Sequence, residues 1–113
     1  MNRRGVPAES LAAAFLEQQG LSILERNYRC RFGEIDLVAR SGQQLVFVEV
    51  RARSSEDFGG AAGSITGAKR RKLVAAARHY LASQRGERQC RFDVVLVRGR
   101  EGDIEWLANA FGE

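Results

Sequence analysis

LVFVEVRARSS, residues 45–55, decides how the rest of the chain is read, because a strand this apolar carries a carboxylate, Glu49, at its centre and an arginine, Arg51, two positions on. A buried carboxylate is costly unless something neutralises it, so the stretch asks for a partner. Side chains alternate across a strand, which places Glu49 and Arg51 on one face, about 7 Å apart at the usual rise per residue. The run just upstream, FGEIDLVAR (32–40), is also strand-like. It is separated from QLVFVEVRAR (44–53) by Ser41-Gly42, a tight-turn signal, so the two form an antiparallel hairpin. Within Gly33-Glu34-Ile35-Asp36 this hairpin offers a second acid, Asp36, within reach of Glu49.

Two carboxylates held together in a partly buried setting repel each other, which raises one pKa or recruits a cation. Oxygen ligands on adjacent strands suit Mg²⁺ or Mn²⁺, ions that keep several waters and leave room for a phosphate. Taken singly, each acid has a structural explanation: an ion pair with a neighbouring arginine for Glu49, and a solvated strand end for Asp36. Jointly, Asp36 followed by Glu49-x-Arg51 on the next strand reads as a site or its remnant.

Further out, residues 8–19 (AESLAAAFLEQQ) follow Pro7 and precede Gly20, and Leu11, Ala12, Phe15 and Leu16 make the i, i+3, i+4 stripe of a short amphipathic helix. A strand-like run, LSILERNYR (21–29), comes next. Beyond the hairpin, SSEDFGGAAGSITG (54–67) reads as a loop without apolar period. Thr66 then caps a helix over roughly 67–84 whose Leu73, Ala76, Ala77, Tyr80 and Leu81 face a core. QCRFDVVLVR (89–98), a turn at 99–102 and a final strand, DIEWLA, complete the order α-β-β-β-α-β-β.

The chain has 113 residues, 44% hydrophobic and 28% charged, near globular averages, and reads as a single domain over residues 1–113. No apolar run approaches the roughly 18 residues of a membrane helix, and LAAAFL is flanked by Glu9 and Glu17, a poor signal peptide; a cytoplasmic protein is expected. Cys30 and Cys90 give neither a disulfide framework nor a metal-binding pair and read as packed thiols. A net charge of +4 favours a polyanionic partner.

GEIDLVAR, VFVEVRARSS, KRRKLVAAARHYL and CRFDVV with IEWLANAF together resemble the YraN family, small bacterial proteins of the PD-(D/E)xK nuclease superfamily similar to archaeal Holliday-junction resolvases. The resemblance runs over nearly the whole chain. It implies a restriction-endonuclease-like α/β fold, a central mixed five-stranded sheet flanked by two helices, with Asp36 and Glu49 as metal ligands and Glu9 as a third acid. It also implies metal-dependent hydrolysis of phosphodiester bonds in DNA. The chain departs from the family pattern at one point: VEVRAR stands where VEVKTR is expected. An arginine stays protonated above about pH 12 and cannot act as a base, yet it can stabilise a pentacovalent phosphate. Arg51 therefore leaves charge stabilisation in place and moves water activation elsewhere, to a cation that lowers the pKa of its own water or to Lys69.

Lys69, Arg70, Arg71 and Lys72 crowd the first turn of the second helix, where the macrodipole disfavours cations. They are a candidate phosphate site, with Arg53, Arg78 and Arg40 extending the positive surface; a solubilising face is the plainer reading. Gly59, Gly60 and Gly63 match no nucleotide-binding motif. His79, the one histidine, supports neither a zinc site nor a serine triad. Tyr28, Phe32, Phe58 and Trp106 could stack bases, although isolated aromatics are more often core. Two alternatives to a nuclease follow: a nucleic-acid-binding module that has lost catalysis with the family lysine, and a homodimeric scaffold that keeps only the fold.

Overall fold

The computed structural model describes residues 7–53, 65–84, 89–98 and 103–111. The elements follow the expected order: α1 (Ala8–Gln18), β1 (Ser22–Cys30), β2 (Gly33–Ser41), β3 (Gln44–Arg53), α2 (Gly67–Ala82), β4 (Cys90–Arg98) and β5 (Asp103–Phe111). They build an α/β fold with one five-stranded sheet in the spatial order β1-β2-β3-β4-β5. Three pairings are antiparallel, while β3 and β4 run parallel, with α2 in the connection between them, so the sheet is mixed. A parallel neighbour needs a crossover, and α2 supplies it.

The two helices cover opposite faces of the sheet. On the α1 face, Ala12, Ala13 and Leu16 pack with Leu37, Ala39, Val46, Val48, Val95 and Val97. On the α2 face, Leu73, Ala76, Ala77 and Tyr80 pack with Val38, Leu45, Phe47, Phe92, Val94 and Leu96. Central strands buried on both sides are apolar on both sides, which is why β3 and β4 read as continuous hydrophobic runs. The expected core positions of both helices are buried or half-buried. Thr66 caps α2 by accepting the Lys69 backbone N–H on Oγ1 at 3.1 Å. Among the described residues, no helix is long and apolar enough to cross a membrane.

Helix α1 ends one residue before the expected limit. Strand β5 runs three residues beyond DIEWLA, carried past a register shift opposite Phe92 and Val94 by Asn109 at φ 53°. Asp93 secures this shift. Wholly buried, it accepts the Asn109 backbone N–H at 2.9 Å, the Trp106 indole N–H at 2.9 Å and the Arg91 Nε–H at 3.0 Å. A buried carboxylate with donors on both oxygens is a structural anchor, and it draws the edge strand onto β4. Of the expected loop at 54–67, Gly67 already belongs to α2 and residues 54–64, with Phe58, Gly59, Gly60 and Gly63, lie outside the described residues, as do 99–102 of the expected turn.

Candidate metal and phosphate site

The β2–β3 ladder runs from Ser41↔Gln44 to Leu37↔Val48. One residue further, the alternation of β2 slips: Ile35 packs on the α2 face although Leu37, two positions away, packs on the α1 face. A regular strand keeps i and i+2 on one side, so the slip falls at Asp36. Opposite it, on β1, Asn27 has φ 53°, a backbone conformation that asparagine tolerates better than most residues. Asp36 thereby uses its side chain where the ladder has ended, its Oδ2 accepting the Val50 backbone N–H at 2.8 Å.

From that position the Asp36 carboxyl meets Glu49. Asp36 is pushed up from 3.8 to about 7, first by burial, against the lowering effect of the Val50 N–H, and then by the charge of Glu49, a hydrogen bond with it and the charge of Glu9. Burial thus disfavours the charged form of Asp36, and the neighbouring Glu49 adds to that effect. Glu49 is buried at 4% exposure, and its Oε2 bears two cations: the Lys69 Nζ at 3.0 Å and the Arg51 guanidinium at 3.4 Å. Arg51 reaches it along β3, as the alternation requires. Lys69 reaches it from the first turn of α2.

Glu9, in the first turn of α1, acts on Asp36 through space. Among the described residues, no three His, Cys, Asp or Glu side chains group closely enough to hold a metal ion. Of the three acids expected as ligands, Asp36 and Glu49 are in contact and Glu9 stands off. Two carboxylates brought into contact from adjacent strands suit a hard divalent cation, which would relieve their repulsion and take its remaining ligands from water and phosphate oxygens.

The four consecutive cations do not converge, because a helix turns about 100° per residue. Lys69 faces the acids, Arg70 lies over the Phe111 ring at 5.6 Å, Arg71 is exposed, and the Lys72 backbone and Cβ lie close to Gly33, where an added Cβ would meet them at 3.4 Å. Arg53 closes β3, and its side chain lies outside the described residues. Sequence reasoning gave no role to Asp93 or Arg91, which the structure joins in a partly buried ion pair. Asp93 sits inside the strand-like run QCRFDVVLVR, and its partners make it an anchor.

The model of the uncharacterised protein family UPF0102 matches residues 8–97. The chain is 61% identical to a UPF0102 protein of Nitrosomonas europaea, over 97% of this chain and 94% of that one. It is 60% identical to a UPF0102 protein of Nitrosospira multiformis, over 96% and 92%. With a UPF0102 protein of Psychromonas ingrahamii the identity is 45%, over 99% and 92%.

Proposed function

We propose a function for this chain from the premise that it belongs to the UPF0102 family, the YraN proteins: metal-dependent hydrolysis of phosphodiester bonds in DNA, branched or single-stranded. The observation that carries the reading is the contact of Asp36 with Glu49, with the Asp36 carboxyl pushed up to about 7. Asp36 and Glu49 would hold Mg²⁺ or Mn²⁺. When bound, such an ion supplies Lewis acidity toward a phosphate and toward water.

The chain's own residues do the remaining work. The Val50 N–H orients Asp36, leaving its carboxyl turned to Glu49. Arg51, always charged, stands beside Glu49 and stabilises negative charge developing on a phosphate docked there. Lys69 brings a lysine ammonium to the same carboxylate oxygen, so the lysine missing from strand position 51 has a counterpart on α2. The exposed cations of α2, Arg71 and Lys72, are the candidates for flanking phosphates; Arg53, expected beside them, has its side chain outside the described residues.

One observation favours a second reading, a nucleic-acid-binding module without cleavage: Lys69 and Arg51 both pair with the Glu49 carboxylate, as two cations do at a structural ion pair. The two separate in one assay. Purified protein with Mn²⁺ is incubated with junction, flap and single-stranded DNA beside Glu49→Gln. The nuclease reading expects nicking by the wild type and loss of nicking, with binding retained, in the variant. Cleavage that persists in Glu49→Gln sinks it; salt-sensitive binding without cleavage by either protein supports the module.

A further inference from the structure

We infer that the β1–β2 turn is a stacking subsite for an unpaired nucleotide, with Phe32 as its platform. This rests on the nucleic-acid reading above and specifies which part of the polyanion the chain grips.

The four aromatics that could stack bases have separated. Trp106 donates its N–H to Asp93 and packs edge-on against Phe15 at 6.1 Å. Tyr28 is half-buried, bonded through its hydroxyl to His79 and set edge-on to Tyr80. Phe58 lies outside the described residues. Phe32 is 41% exposed, the one phenylalanine or tryptophan among the described residues that leaves so much apolar surface in water. It occupies, with Arg31, the two-residue turn between β1 and β2, where turn chemistry favours Gly, Asn or Asp. Neither residue is a favoured turn former; what the pair makes there is a guanidinium–ring contact.

Their arrangement suits a base. The Arg31 guanidinium lies 4.8 Å from the Phe32 ring centroid, and the exposed His79 ring stands 5.9 Å away, tilted by 59°. A base has a π-face on which an aromatic and a guanidinium both stack, and only an unpaired base presents that face to a protein side chain. The turn is also joined to the acids by a cationic edge. Gly33, the next residue, lets β2 approach α2 closely at Lys72, and Lys69 lies three residues, one helical turn, from Lys72 toward Glu49. Asp36 lies four positions beyond Phe32, about 13 Å along extended chain. A stacked strand advances about 3.4 Å per nucleotide, so the platform stands roughly three to four nucleotides from the acids. Glu34, the acid beside the turn, is paired with Arg29 at 3.2 Å and does not present an uncompensated negative charge to a strand.

The test is binding of a fluorescein-labelled oligothymidylate, and of a blunt duplex of equal length, by the whole chain in chelator, where no cleavage occurs. Phe32→Ala is expected to weaken single-strand binding about tenfold, within the range of one base–aromatic stack, with an unchanged salt slope and unchanged duplex binding. Phe32→Tyr should bind within about twofold of wild type. Phe32→Trp should show indole emission quenched on saturation with oligothymidylate. Wild-type chain that ignores oligothymidylate, Phe32→Ala that binds like wild type, or Phe32→Ala that loses duplex affinity equally, overturns the subsite. Wild type that stacks the oligonucleotide but never nicks DNA in Mn²⁺ overturns the nuclease reading alone.

Discussion

Lys69 of α2 and Glu49 of β3, twenty positions apart, meet with Nζ 3.0 Å from Oε2, and Arg51 shares that oxygen at 3.4 Å. A nearly buried carboxylate is thus compensated twice, once through the strand and once through the helix. Removal of either cation leaves the other in place. Lys69 is 44% exposed, so Lys69→Met is expected to cost under about 1 kcal/mol. Arg51→Met should cost about as much or slightly more. The double variant strands a buried charge and should lose about 1 kcal/mol beyond the sum of the two. Urea unfolding of the four proteins measures this coupling; strict additivity would show that the two cations act independently and that neither stands in for the other.

The raised Asp36 pKa has a defined consequence for stability. Between the unfolded value of 3.8 and about 7 the folded chain holds a proton that the unfolded chain has released. Stability from this group is complete below about pH 4 and is lost as pH rises through 7. After allowance for solvent screening the loss is on the order of 2 kcal/mol. Asp36→Asn keeps an oxygen for the Val50 N–H but has no proton to lose, so it should melt higher than wild type at pH 8, by less at pH 5, and near it at pH 4. A difference that grows toward low pH would reverse the sign and refute the assignment.

Divalent ions should act on the same acid. Titration with Mn²⁺ at pH 8 is expected to raise the melting temperature of wild type and to leave Asp36→Asn and Glu49→Gln unmoved, since each variant lacks one of two carboxylate donors. Equal stabilisation of all three proteins would place the ion elsewhere.

Asp93 predicts the opposite pattern. Asp93→Ala leaves the Trp106 and Asn109 N–H groups and Arg91 without their acceptor and should cost about 3–5 kcal/mol in denaturant unfolding. Asp93→Asn should cost less, because an amide oxygen still serves some of these donors. If the acid is only an anchor, the response of the remaining folded protein to Mn²⁺ stays that of wild type.

The N-cap of α2 offers a smaller effect. Thr66→Ala removes the acceptor of the Lys69 N–H and should cost about 1 kcal/mol, while Thr66→Ser restores most of it. Thermal melts of the three proteins resolve the difference.

Local chemistry and periodicity carried the sequence a long way. The hairpin, the cap at Thr66, the core faces of both helices and the shared face of Glu49 and Arg51 follow from turn residues and from periods of 2 and 3.6, which act over a few neighbours. What tertiary structure decided involves partners far apart in the chain. The slip in alternation at Asp36 depends on where β2 parts from β3. The inward turn of Lys69 depends on how α2 lies over the sheet, and it separates four adjacent cations that look like one cluster in sequence. Asp93 becomes an anchor because β5 brings Trp106 and Asn109 to it. Spacing along a chain states which side chains share a face; packing between elements determines which of them meet.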